Sequence, residues 1–160
     1  MAAPHLSTET TTTTDRRGRD RTPAQNVALA LGSVFSLVGI IGFAITGFDQ
    51  FADHHTGEHL LWFEINPLHN IVHLAFGVLG LVMAASNAGA GRYGMLVGVG
   101  YGGALIYGLA ALDETWDILA INAADNWLHL ILAIAGFGLA AIAGADAIER
   151  RPMDSAHTRR

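Results

Sequence analysis

Two short segments of this 160-residue chain hold the side chains best able to do chemistry. Ile65-Asn66-Pro67-Leu68-His69-Asn70-Ile71-Val72-His73-Leu74 aligns without gaps on Ile121-Asn122-Ala123-Ala124-Asp125-Asn126-Trp127-Leu128-His129-Leu130. Five of the ten positions are identical, including Asn66/Asn122, Asn70/Asn126 and His73/His129. On a helix Asn66, Asn70 and His73 fall at i, i+4 and i+7, with His69 joining His73. The second copy presents Asn122, Asn126 and His129, joined by Asp125, which takes the place of His69. Together His69, His73, Asp125 and His129 offer three imidazoles and a carboxylate, a ligand set for zinc, copper or iron. Haem held between His73 and His129 is a further reading, opposed by the lack of any Lys or Arg nearby to pair with propionates.

A plainer reading needs no metal. Asn66 before Pro67 is an N-cap with proline at the first helical position, and Asn122 caps in the same way. Asp125 suits the positive end of a helix. His73 and His129 then bond to Asn126 and Asn70 across the two copies and lock them in register.

These segments belong to a strongly apolar chain. Hydrophobic residues make up 51% and charged residues 14%, against roughly 25% charged in soluble domains. The uncharged stretches are Thr22–Phe48, Ile65–Gly91, Tyr93–Leu112 and Asn126–Ala145, each of 20 residues or more. About 20 apolar residues cross the hydrocarbon layer as a helix, which satisfies its own backbone. None alternates with a period of two, which argues against a barrel. The fold expected is all-α and integral to the membrane: four transmembrane helices as two pseudo-repeated hairpins in one bundle. Gly94, Gly98 and Gly102, and Gly136, Ala140 and Gly144, recur at the spacing that lets membrane helices approach closely.

All nine basic residues are arginine, and they lie before the first block, at Arg92, or after the fourth. Alternating helices place them all on one side, so both termini and the Arg92 loop are expected to be cytoplasmic. The opposite side holds six of the eight histidines and eight of the fourteen acids. There Asp53-His54-His55 and Glu58-His59 make a mouth that attracts cations, although each histidine alone reads as solvated. Trp62, Trp116 and Trp127 fall near that interface. Residues 1–21 form a Thr/Arg-rich tail expected to be disordered, 22–145 the membrane domain, and 146–160 a second tail in which Pro152 stops any helix. Thr22-Pro23-Ala24-Gln25 has the capping-box pattern that opens the first helix.

The net charge of −5 argues against nucleic acid. The absence of cysteine rules out disulfides, iron–sulfur clusters and thiolate chemistry. No phosphate loop or nucleophile elbow is present.

The Arg21-Thr22-Pro23-Ala24-Gln25 start, Leu68-His69-Asn70-Ile71-Val72-His73-Leu74 and Asn122-Ala123-Ala124-Asp125-Asn126-Trp127-Leu128-His129-Leu130 resemble the actinobacterial membrane family catalogued as domain of unknown function 4383. The resemblance covers about residues 21–145 and implies a four-helix inner-membrane protein of unestablished activity. It supplies no catalytic residues. The function expected is therefore a structural or accessory membrane subunit, in contact with lipid and with further copies or a larger complex. The alternative is a metal-binding or redox protein using the extracytoplasmic His/Asp cluster.

Overall fold

The first helix opens as its sequence predicts. Thr22 Oγ1 accepts from Gln25 N at 3.1 Å, and Gln25 Oε1 accepts from Thr22 N at 3.0 Å. Pro23 stands at the first helical position, where its missing N–H costs nothing. The computed structural model describes residues 20–157, with side chains through Glu149. Almost all of the expected N-terminal tail lies outside the described residues.

The described residues form four helices: α1 (Pro23–Thr46), α2 (Pro67–Met83), α3 (Asn87–Ala111) and α4 (Ala123–His157). Three stretches are long and apolar enough to cross a membrane: α1, α3 and the Ala123–Glu149 part of α4, with mean hydropathies of 2.3, 1.5 and 2.1. The chain is thus a multi-pass membrane protein by length and composition.

The boundaries differ from expectation in two places. The uncharged block Ile65–Gly91 is not one helix, because Ser86 ends it by capping α3, its side chain accepting from Gly89 N at 3.0 Å. A hydroxyl at an N-cap outweighs the absence of charge. As a result α2 has only 17 residues, and Arg92 sits inside α3, not in a loop. Pro152 does not stop α4, which continues to His157. A proline forfeits one helical hydrogen bond, and past the apolar span water can take the freed carbonyl.

The connection between α1 and α2 contains a small hairpin that apolar patterning did not reveal. Strand β1 (His59–Leu60) pairs antiparallel with β2 (Phe63–Glu64), with His59 opposite Glu64 and Leu60 opposite Phe63. Leu61 takes a φ of +59° in the turn.

The helices pack by small residues. Gly32, Phe35, Gly39 and Gly42 form the buried seam of α1, which lies antiparallel on α2. A Cβ on Gly80 would come within 2.7 Å of the Gly32 Cα, and one on Gly136 within 2.8 Å of the Gly98 Cα. Backbones this close exclude any side chain at the crossing. The large apolar residues point outward instead: Ile40 is 57% exposed, Ile106 72% and Ile134 64%. This inversion, with alanine and glycine within and isoleucine without, suits lipid. Trp62, Trp116 and Trp127 are all exposed.

One end of the bundle gathers the start of α1, the α2–α3 turn and the later part of α4. Thr22 Oγ1 donates to Asn87 Oδ1 at 2.8 Å, Gln25 Nε2 to Ala84 O at 3.0 Å, and Asn87 Nδ2 to Ala143 O at 2.8 Å. The opposite end gathers the two Asn/His segments.

Candidate metal centre

Both segments begin with an asparagine cap, and the caps aim the chemistry. Asn66 Oδ1 accepts from His69 N at 2.8 Å, while its Nδ2 donates to Asp53 O at 3.0 Å and Ile118 O at 2.9 Å. One side chain thereby ties α2 to both the α1–α2 and the α3–α4 connections. Asn122 and Asp125 cap each other: Asp125 N donates to Asn122 Oδ1, and Asn122 N to Asp125 Oδ2, each at 3.1 Å. Asn122 Nδ2 also donates to Trp62 O at 2.9 Å, which joins the β hairpin to α4.

This arrangement places His69, Asp125 and His129 together. One ligand atom from each lies within 4.8 Å of the others, and all three residues are buried. His69 Nδ1 is 2.9 Å from Leu119 O. A carbonyl only accepts, so this nitrogen carries a proton and, in a neutral ring, Nε2 keeps its lone pair. That lone pair stands 4.0 Å from Asp125 Oδ1. A carbonyl holding the far nitrogen of an imidazole is the usual way a metal-ligating histidine is oriented. His129 Nδ1 is buried without a partner.

His73 lies next to this group but outside the set of three. Its Nε2 is 3.0 Å from His69 Nε2, and the two rings meet edge to edge, their centroids 4.9 Å apart and their planes 9° from parallel. Because His69 Nε2 accepts, His73 Nε2 donates, and His73 Nδ1 accepts from the Tyr101 hydroxyl at 3.4 Å. Phe35 and Phe76 rings, each 5.2 Å from Tyr101, hold the phenol in place.

The two second asparagines do not bond the histidines. Asn70 Nδ2 donates to Thr46 Oγ1 at 3.0 Å and the side chain lies on Gly42 of α1. Asn126 lies on Gly108 of α3, and neither of its amide atoms has a partner. Three residues turn a helix by about 300°, so an asparagine and the histidine three places on diverge by about 60°. The asparagine therefore lies on the helix its own helix packs against, while both histidines turn toward Tyr101.

These residues and this packing fit one family model. The model for a domain of unknown function, DUF4383, matches residues 25–142. The chain belongs to the DUF4383 family. No curated protein and no solved structure matches it.

Two side chains that support this group in the DUF4383 chain escaped the sequence reading. Asp117, 5% exposed, accepts from Ile121 N at 2.7 Å, Leu119 N at 3.0 Å and the Tyr107 hydroxyl at 3.1 Å, and so shapes the loop that presents Leu119 O. Nothing distinguishes it in sequence from its solvated neighbours Asp113 and Glu114. Tyr101 had a signal: it follows Gly94 and Gly98 on one helical stripe, a phenol on a face otherwise built of small residues. His54 and His55 lie away from the buried group, lining an open cavity of about 180 Å³ with Glu64, Asp113, Glu114 and Asn122.

Proposed function

We propose that this protein crosses the cytoplasmic membrane of a bacterium four times, with both termini in the cytoplasm, and binds a transition-metal ion at its extracytoplasmic end. The convergence of His69, Asp125 and His129 within 4.8 Å carries the metal reading. The donor set supports it: two imidazoles and a carboxylate suit zinc, copper or iron. The orphaned His129 Nδ1 and the carbonyl-held His69 ring also support it. Ligand atoms on one tetrahedral ion lie about 3.3 Å apart, so loading draws these side chains inward by about 1 Å. Haem is the weaker candidate, because the Tyr101 ring, 6.2 Å from His73 and 5.4 Å from His129, takes the place that a macrocycle between them needs.

The four-span topology draws support from the packing. At about 1.5 Å per residue the 17 residues of α2 reach about 25 Å, and α2 lies antiparallel to α1 along that length. The paired hairpins draw support from contacts that correspond. Asn70 on Gly42 and Gly80 on Gly32 match Asn126 on Gly108 and Gly136 on Gly98, with one constant shift between α2 and α4 and another between α1 and α3. The arginine asymmetry supports the orientation.

Elemental analysis of detergent-purified protein, with zinc, copper(II) and iron(II) titrations, tests the metal reading. One ion per chain, lost in the His69→Ala/His129→Ala double variant, is the expected result. A folded wild-type protein that retains and binds none of the three overturns it. One observation favours a second reading, an accessory subunit in which the network is only a clasp: the His69–His73 bond and the two carbonyl bonds of Asn66 satisfy those groups with no ion. That reading expects stoichiometric partner proteins after mild solubilisation and no metal.

A further inference from the structure

The lone pair that His69 would give to a metal is already engaged by His73. For the ion to bind, the His73 Nε2–H must leave that lone pair, and the surroundings of His73 show how this is accommodated. The Nε2 atoms of His69 and His73 are 3.0 Å apart. Two imidazole nitrogens bound side by side on one ion, each at about 2.0–2.1 Å, lie about 2.9–3.4 Å apart. The two nitrogens are therefore already at the spacing of adjacent ligands, and both lone pairs become available to one ion once the proton between them leaves and the rings turn toward it.

We infer that His73 is the fourth ligand of the loaded centre, and that Tyr101 is the positioning residue that permits it by reversing the direction of its hydrogen bond to His73. This rests on the metal reading above. In the metal-free protein the Tyr101 hydroxyl donates to His73 Nδ1 and His73 Nε2–H donates to His69. On loading, His73 loses the proton at Nε2 to water shed by the incoming ion and takes one from water at Nδ1. The ring stays neutral and no net proton is released. His73 Nδ1–H then donates to the Tyr101 oxygen. A hydroxyl both donates and accepts, so the same phenol oxygen serves both states, its O–H turning away from His73 when the oxygen accepts. Tyr101 is 3% exposed and held between Phe35 and Phe76, so no other group replaces it. His73 needs this partner because an N–H buried in the bundle without an acceptor is costly.

Nitrogen-15 NMR of histidine-labelled protein in micelles, metal-free and zinc-loaded, reads the tautomers directly, with His73 assigned from its loss in His73→Gln. Zinc is expected to move His73 from the Nε2–H to the Nδ1–H form. Tyr101→Phe is expected to leave His73 as Nε2–H and His69 bound, and to weaken zinc by about tenfold. Tyr93→Phe, whose hydroxyl is buried without a partner, is expected to change neither. If zinc binds the wild type while His73 keeps its Nε2 proton, or if Tyr101→Phe binds zinc equally well with the same shift, the inference is overturned and the metal reading stands. If the wild type binds no zinc, copper or iron, both are overturned.

Discussion

The Nε2 atoms of His69 and His73 meet at 3.0 Å within the bundle, one helical turn apart on α2. The proton between them makes the pair a clasp; the proposed ion, in taking both lone pairs, would make it a chelate. Asp125 Oδ1, 4.0 Å from His69 Nε2, comes from α4, and the bond from His69 Nδ1–H to Leu119 O ties α2 to the segment just before that helix.

Asp125→Asn separates capping from charge. The amide oxygen can still accept from Asn122 N, so the thermal midpoint in detergent is expected to shift by only a few degrees, about 1 kcal/mol or less. Zinc affinity is expected to fall at least tenfold, because an anionic ligand is gone. Calorimetry and competitive zinc titration check the two effects separately. Unchanged affinity would remove Asp125 from the centre.

Gly136 and Gly138 are two residues apart on α4 but meet different surroundings. A Cβ at Gly136 runs into the backbone of Gly98, whereas one at Gly138 meets nothing within 4 Å. Gly136→Val is expected to destabilise the bundle by about 3 kcal/mol or more, as overpacking does. Gly138→Val is expected to be tolerated. Unfolding in mixed micelles compares them.

Asp117→Ala takes one acceptor from two backbone amides and a phenol. With about 1.5–3 kcal/mol for a hydrogen bond to a charged group, a loss of about 3 kcal/mol is expected. Zinc binding should weaken as well, since the loop then presents Leu119 O less firmly to His69. Tyr107→Phe removes one of these bonds together with the one its hydroxyl accepts from Ile118 N at 2.9 Å, and is expected to cost about 2 kcal/mol.

The topology is testable without interference, because the natural chain contains no cysteine. Glu58→Cys is expected to react with a membrane-impermeant maleimide on intact cells. Arg92→Cys is expected to react only after permeabilisation. Labelling of Arg92→Cys from outside would contradict the proposed orientation.

Much of this site was legible in the residues alone. Asn66 and Asn122 are caps because asparagine before an apolar run satisfies the free N–H groups of a helix start. The pairing of His69 with Asp125 followed from an ungapped repeat. The end of α2 was not legible, since neither Ala84 nor Ala85 carries a charge or a glycine to mark a turn, and only the Ser86 cap does so. The β hairpin was hidden for a related reason: two residues per strand are too few to show a period.

What the sequence by itself determined is the class of molecule, a multi-pass membrane protein. Transfer of a charged side chain into hydrocarbon is so unfavourable that the placement of arginine, aspartate and long apolar runs reads almost directly as a membrane layout. What only the tertiary structure decided is which polar groups meet. Helical periodicity gives each side chain a direction but says nothing of the neighbour it faces, which depends on where glycines let backbones touch. Asn70 and Asn126 turn to Gly42 and Gly108, and His73 to Tyr101, because the close crossings at Gly32/Gly80 and Gly98/Gly136 set the rotation of each helix against its partner.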